Sequence, residues 1–167
     1  MIKKFFSLII LLVISILGQQ FIAGTIWPIN LLLISTIFLV LNSEGWGFFP
    51  LVVLLGLVSD FLSGTNGESF FALLLTAIAI KLLLDKISLA NPLNPALLII
   101  FALSINWFIY FIAGQIFNLF RDNNLNIIGH VGIKFIFLYF IFNFLITYGL
   151  FRLFKYRKII RNYGSSI

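Results

Sequence analysis

The strongest constraint on this chain is how seldom its apolar runs are interrupted. From Phe5 to Phe151 hydrophobic residues follow one another in long stretches, parted only by short polar groups such as Asn42-Ser43-Glu44-Gly45, Asn91-Pro92-Leu93-Asn94-Pro95 and Arg121-Asp122-Asn123-Asn124-Leu125-Asn126. With 62% hydrophobic residues, 10% charged residues and a mean hydropathy of +1.16, the sequence cannot clothe a globular domain in solvated side chains. It predicts an all-α integral membrane protein. One crossing takes roughly 20 residues, so a chain of 167 residues holds at most about six short-looped spans and no separate soluble domain.

The expected architecture is a polytopic bundle of six transmembrane helices in a single domain, 1–167, with spans over about 5–23, 27–41, 46–62, 69–84, 96–120 and 131–151. Met1-Ile2-Lys3-Lys4 and the apolar run after it resemble a signal peptide, but Gly18 to Gly24 offers only a poor A-x-A-type site, so the run reads as a retained first span. Trp27 and Pro28 suit an interfacial aromatic and a first-turn proline opening the second span. Prolines 92 and 95 mark a loop before the fifth.

Charge placement tests the count of spans. Six crossings put Lys3, Lys4, Lys81, Lys86, Arg152, Lys155, Arg157, Lys158 and Arg161 on the side of the termini, nine of the eleven cations, and leave Arg121 and Lys134 opposite. The positive-inside rule then makes both termini and the basic tail, 152–167, cytoplasmic. Next to a bilayer this tail, with its alternating aromatics and cations, reads as an anchor for anionic lipid and not as a nucleic-acid patch.

Polar character is concentrated between Gly56 and Phe71, where three glycines and two of only five acids lie between hydrophobic runs. Asp60 falls in the last turn of the third helix, where the helix dipole disfavours an anion and a partner is needed. Gly64 supplies the left-handed residue that closes a helix. Thr65-Asn66-Gly67-Glu68 fits a capping box for the next one, with Glu68 reaching back to Thr65. Asp60 is either a coupling or partner-binding carboxylate or a structural one that accepts bonds from Ser63, Thr65 or turn amides.

In the later spans polar and small residues form stripes. Asn106, Tyr110, Gly114 and Asn118 recur every four positions on the fifth helix, Tyr139, Asn143 and Thr147 do so on the sixth, and Ser15 and Gln19 pair on the first. Such rows can line a cavity or form helix-packing faces; with no formal charge in any of them, packing is the favoured reading. His130 reads as an interfacial side chain. Cysteine is absent, which rules out disulfides and thiolate chemistry. No third acid stands near Asp60 and Glu68 to hold a metal, and no nucleophile or phosphate-loop motif appears. The expectation is a non-enzymatic chain without cofactor or metal.

The central stretch resembles a known family. Read as G-L-x-x-D-x-x-S-G-x-x-G, through Gly56, Leu57, Asp60, Ser63, Gly64 and Gly67, and followed by an apolar helix, it looks like the rod shape-determining protein MreD family, as do the length, the six short-looped spans and the basic end. The resemblance implies a multi-pass protein of the bacterial inner membrane that works beside MreC, a single-span protein. Through it, the cytoplasmic filament MreB is linked to peptidoglycan synthases during elongation. It implies no catalytic residue, makes the Asp60 motif structural or partner-facing, and suggests a fold similar to the S-components of energy-coupling-factor transporters.

Two other readings compete with this one. A vitamin-binding S-component commonly carries an Ala-x-x-x-Ala pair on its first helix, whereas this first span has no alanine before Ala23. A proton-coupled carrier would have to rely on Asp60.

Overall fold

The computed structural model describes residues 2–22, 29–43, 45–87, 93–119 and 133–163, with side chains for 10, 13–22, 29–43, 45–87, 93–116 and 136–153. These form six α-helices: α1 (Ile2–Ile22), α2 (Leu31–Asn42), α3 (Phe49–Ser63), α4 (Glu68–Leu84), α5 (Leu93–Leu119) and α6 (Ile133–Tyr163). Among the described residues there is no strand. Trp27, Pro28, Glu44, Asn91, Pro92, the 121–126 loop and His130 lie outside them, as do the side chains of Asn118, Lys134 and the tail from Phe154.

The helix α2 is the centre of the bundle. It packs against α1, α3, α4 and α6, while α5 closes the other side through α4 and α6. Its sequence is apolar on every face, and each residue from Leu32 to Leu41 is buried, as expected of a helix enclosed by others. Leu33, Leu39 and Val40 join Leu55 of α3, Ile80 of α4 and Leu103 of α5 in one continuous core. Outside that core the usual polarity is reversed. Buried positions include Ser15, Thr76, Asn106, Asn143 and Thr147, whereas Phe21, Phe61, Leu97, Phe108, Phe137 and Leu145 face outward.

Among the described residues two helices are long and apolar enough to cross a membrane, α5 over Leu93–Ile116 and α6 over Ile136–Leu153. Six crossings do not follow from length. With 12 residues α2 rises only ~18 Å against the ~30 Å of a hydrocarbon core, and α3 and α4 have 15 and 17 residues.

Several boundaries differ from the sequence reading for identifiable reasons. The second helix begins at Leu31, because Asn30 caps it by accepting the Leu33 N–H at 2.9 Å. The fifth begins at Leu93 with Pro95 inside it: a first-turn residue has no intrahelical use for its N–H, so proline there opens a helix and does not break it. The sixth does not stop at Phe151 but runs to Tyr163, since no glycine or proline intervenes between Gly149 and Gly164. The basic segment is thus a continuation of the helix.

Close approach of α3 and α4 depends on Gly56, where an added Cβ would lie 2.8 Å from Phe70 Cδ2 and 3.0 Å from Phe70 Cα. Gly56 therefore makes its contact within the chain. A Gly56→Leu substitution should force the helices apart and destabilise the fold by about 1–3 kcal/mol. Thermal unfolding in detergent will register this as a lowered midpoint, and an unchanged midpoint would contradict the packing described.

Candidate functional site

The residues singled out in the sequence gather at one end of the bundle, where the ends of α1 and α3 meet the starts of α2, α4 and α6. Two hydrogen-bonded constructions and a cavity make up this region.

The first construction resolves the position of Asp60. Although it lies in the last turn of α3, its carboxylate is aimed at the first turn of α4: Oδ1 accepts the Ser69 N–H at 2.9 Å and Oδ2 the Phe70 N–H at 3.2 Å. The Thr65 hydroxyl donates to Oδ1 at 2.5 Å. One anion thereby satisfies two orphan amides of the next helix, and the positive end of α4 offsets the unfavourable end of α3. Gly64, at φ 65°, closes α3 in the left-handed conformation and returns its N–H to Asp60 O.

The proposed capping box does not form. Gly67, at φ 104°, occupies the N-cap, so Glu68 is the first residue of α4 and the Thr65 hydroxyl is committed to Asp60. Glu68 stands instead beside α5, where a Cβ added to Gly114 would come 3.9 Å from its Oε2. Ser63 does not bond Asp60 either; its hydroxyl donates to Ser59 O at 2.6 Å. With those two protons assigned, the Ser69 hydroxyl is left to donate to Thr65 Oγ1 at 3.1 Å.

The second construction caps α2. The Asn30 N–H donates to Asn143 Oδ1 of α6 at 2.8 Å, and the Leu31 N–H donates to Gln19 Oε1 of α1 at 2.7 Å. Gln19 Nε2 reaches Ile29 O at 3.4 Å, and Asn143 Nδ2 donates to Tyr139 O at 2.7 Å. Lower in the bundle, Ser15 and Ser35 hydroxyls bond across α1 and α2, and Thr147 bonds back to Asn143 O at 2.6 Å.

Above this cap lies a cavity of about 470 Å³ to which all six helices contribute. The stripes therefore divide. Gln19, Asn106, Tyr110 and Tyr139 line the cavity. Ser15, Asn143 and Thr147 bond within the bundle, and Gly114 faces Glu68. Asn106 also joins α5 to α4 through Nδ2 and Thr76 Oγ1 at 3.2 Å. Every lining residue among those described is uncharged. Among the described residues no three His, Asp or Glu side chains converge.

Sequence reasoning missed Asn30, Ser59, Ser69 and Trp107, all of which line this space. Asn30 had a readable signal, an asparagine directly before an apolar run. The others show their role only once α3, α4 and α5 are brought together.

No protein-family model, curated protein or solved structure matches this chain.

Two substitutions test the constructions. Asp60→Ala removes both acceptors and should lower stability by about 1–2 kcal/mol. Asp60→Asn keeps one acceptor but turns an NH2 toward the Phe70 N–H, so its unfolding midpoint should fall between those of Ala and the parent. Asn143→Leu leaves the Asn30 N–H without its acceptor and should cost about 1–3 kcal/mol, read as earlier unfolding and faster amide exchange at the start of α2.

Proposed function

We propose that this chain is a non-catalytic scaffold that crosses the bacterial inner membrane six times with both termini in the cytoplasm. It serves rod-shape determination in the manner of the MreD family, holding a MreC-like single-span partner. Through that partner it helps to position lateral-wall peptidoglycan synthases relative to a MreB-like filament.

The membrane part of this reading is supported by the reversed polarity of the bundle, with amides and hydroxyls inside and Phe, Leu and Ile outside. The shortness of α2 is compatible with it, because a helix wholly enclosed by protein does not itself need to match the bilayer thickness. The helix directions support the orientation: Lys81, Lys86 and Arg152 belong to the ends of α4 and α6 remote from the cavity, on the side of the termini.

One observation carries the scaffold reading. The residues of the family-like motif are engaged in holding α3 to α4: Asp60 bonds with both oxygens, Gly64 closes α3 and Gly56 admits Phe70. A motif used in this way fixes the shape of a surface, as a partner-holding protein requires. Outward apolar side chains of α5 and α6 would then meet lipid or a partner helix through packing. The basic continuation of α6 would lie against anionic lipid.

A vitamin-binding S-component is the second reading, and the cavity favours it. Both can be tested on one preparation. The chain contains no cysteine, so single cysteines at Asn66 and Lys86 can be labelled without background. An impermeant reagent should reach Asn66→Cys and not Lys86→Cys in intact cells, a MreC-like protein should co-purify, and depletion should turn rods into spheres. Labelling of both sites from one side sinks the six-span layout. A vitamin retained in stoichiometric amount, with no partner captured, replaces the scaffold by the transporter component.

A further inference from the structure

The cavity holds polar capacity that the fold does not use. The Gln19 and Asn30 carboxamides at its floor are engaged in capping α2. Two other deeply placed groups are not engaged in this way. Asn106, 4% exposed, donates through Nδ2 to Thr76, yet its Oδ1 meets no donor among the described residues. Ser59, 9% exposed, makes no side-chain hydrogen bond among them. Every side-chain nitrogen or oxygen that is sealed off among the described residues has a partner, so Asn106 Oδ1 and Ser59 Oγ open into the cavity. An acceptor and a hydroxyl held this deep, and turned into empty space, are placed for a ligand or water.

The rest of the wall narrows the chemistry. Trp107, Tyr110 and Tyr139 present aromatic surface, and Leu32, Leu62 and Ile136 present aliphatic surface. The volume of about 470 Å³ is that of a small-molecule site. No lining side chain among the described residues is charged, so a charged ligand would be desolvated there without an ion pair from them. Asp60 and Glu68 are chain neighbours of the lining residues Ser59 and Ser69, and two acids so close to the wall disfavour an anion further. A cation gains little from Asp60, whose oxygens already accept three hydrogen bonds.

We propose that this cavity binds a neutral ring compound bearing several hydroxyl or amide groups. Ser59 and Asn106 hydrogen-bond its polar edge, and Trp107 and Tyr110 cover its faces. A sugar-like ring has this chemistry, whether as a free solute or as the uncharged headgroup of a glycolipid. The assignment rests on the cavity and on neither functional reading above.

The test uses the full chain in a detergent without a sugar headgroup, and in parallel in lipid nanodiscs. Glucose and N-acetylglucosamine are titrated as free rings, and a monoglucosyl diacylglycerol is included in the nanodiscs as the headgroup form. Glucose 6-phosphate is the anionic control. Tryptophan fluorescence, measured in a Trp27→Phe, Trp46→Phe background, reports on Trp107, and the unfolding midpoint of the parent reports binding independently.

A saturable response to at least one neutral probe is expected, with glucose 6-phosphate weaker. Ser59→Ala, which removes only a hydroxyl, should weaken binding roughly three- to tenfold, the equivalent of one neutral hydrogen bond. Asn106→Leu should abolish it. Response to free rings identifies a solute site, and response to the glycolipid alone identifies a headgroup site. The proposal is overturned by silence from all three neutral probes in the folded parent, by equal affinity for the phosphate, or by undiminished binding in Ser59→Ala. Partner capture by the same variants is scored separately, so a failure here is distinguishable from a failure of the scaffold reading.

Discussion

The bundle depends on satisfying the first turn of a helix enclosed by the others. With α2 buried from Leu32 to Leu41, its leading amides must find acceptors on other helices, since an unpaired N–H in such a place costs as much as a lost hydrogen bond or more. Asn30 supplies one acceptor, Gln19 of α1 a second and Asn143 of α6 a third. This requirement fixes the rotation of α1 and α6 about their axes, because each must present its amide at one height. It also explains why their polar rows exist in helices that otherwise face outward with Phe, Leu and Ile.

The cavity follows from the same helix. At 12 residues α2 is less than half as long as α5, at 27, or α6, at 31. Neighbours that extend ~20 Å further leave a space that α2 does not fill. That space opens where α2 begins, so its floor is the capped N-terminus and its walls are the polar halves of the neighbouring helices. Asp60 closes the adjoining corner by the same principle: the N-cap of α4 is Gly67, which has no side chain to offer, and a carboxylate from the preceding helix serves. An anion between the negative end of one helix and the positive end of the next is stabilised by the second as it is disfavoured by the first.

How much of this was legible depends on the range of the interaction. The six helices could be read from apolar runs, and Gly64 from its place after one, since both signals are local. The charge and position of Asp60 showed that it needed a partner, but local pattern matching assigned the cap of α4 to Thr65 and Glu68. The true acceptor is eight residues before the first residue of α4, and Gly67 takes the N-cap. Four-residue spacing grouped Asn106 with Tyr110, and Tyr139 with Asn143; of these Asn106, Tyr110 and Tyr139 line the cavity and Asn143 caps α2. It could not tell a face that meets a backbone amide from one that meets open space, because that depends on the length of a different helix. Lengths also bear on the membrane question differently from composition: the hydropathy of the whole chain suggested six crossings of unequal length, whereas among the described residues α5 and α6 alone qualify by themselves.

The two polar constructions also differ in what they leave over. At the Asp60 junction both carboxylate oxygens and the hydroxyls of Ser63, Thr65 and Ser69 are engaged within the turn and the helix ends it joins, which makes it a rigid corner. Around the cavity the polar groups are only partly matched among the described residues, Gln19 and Asn30 to backbone, Asn106 on its donor side alone, and Ser59 not at all. A bundle selected only for tight association would place small apolar residues at such positions, as Gly56 and Ala102 do elsewhere in it. Keeping a hydroxyl and a carboxamide oxygen turned into a void in an otherwise apolar protein sacrifices packing and dispersion energy. A molecule that enters the space supplies the compensation, and walls uncharged among the described residues suit a neutral one.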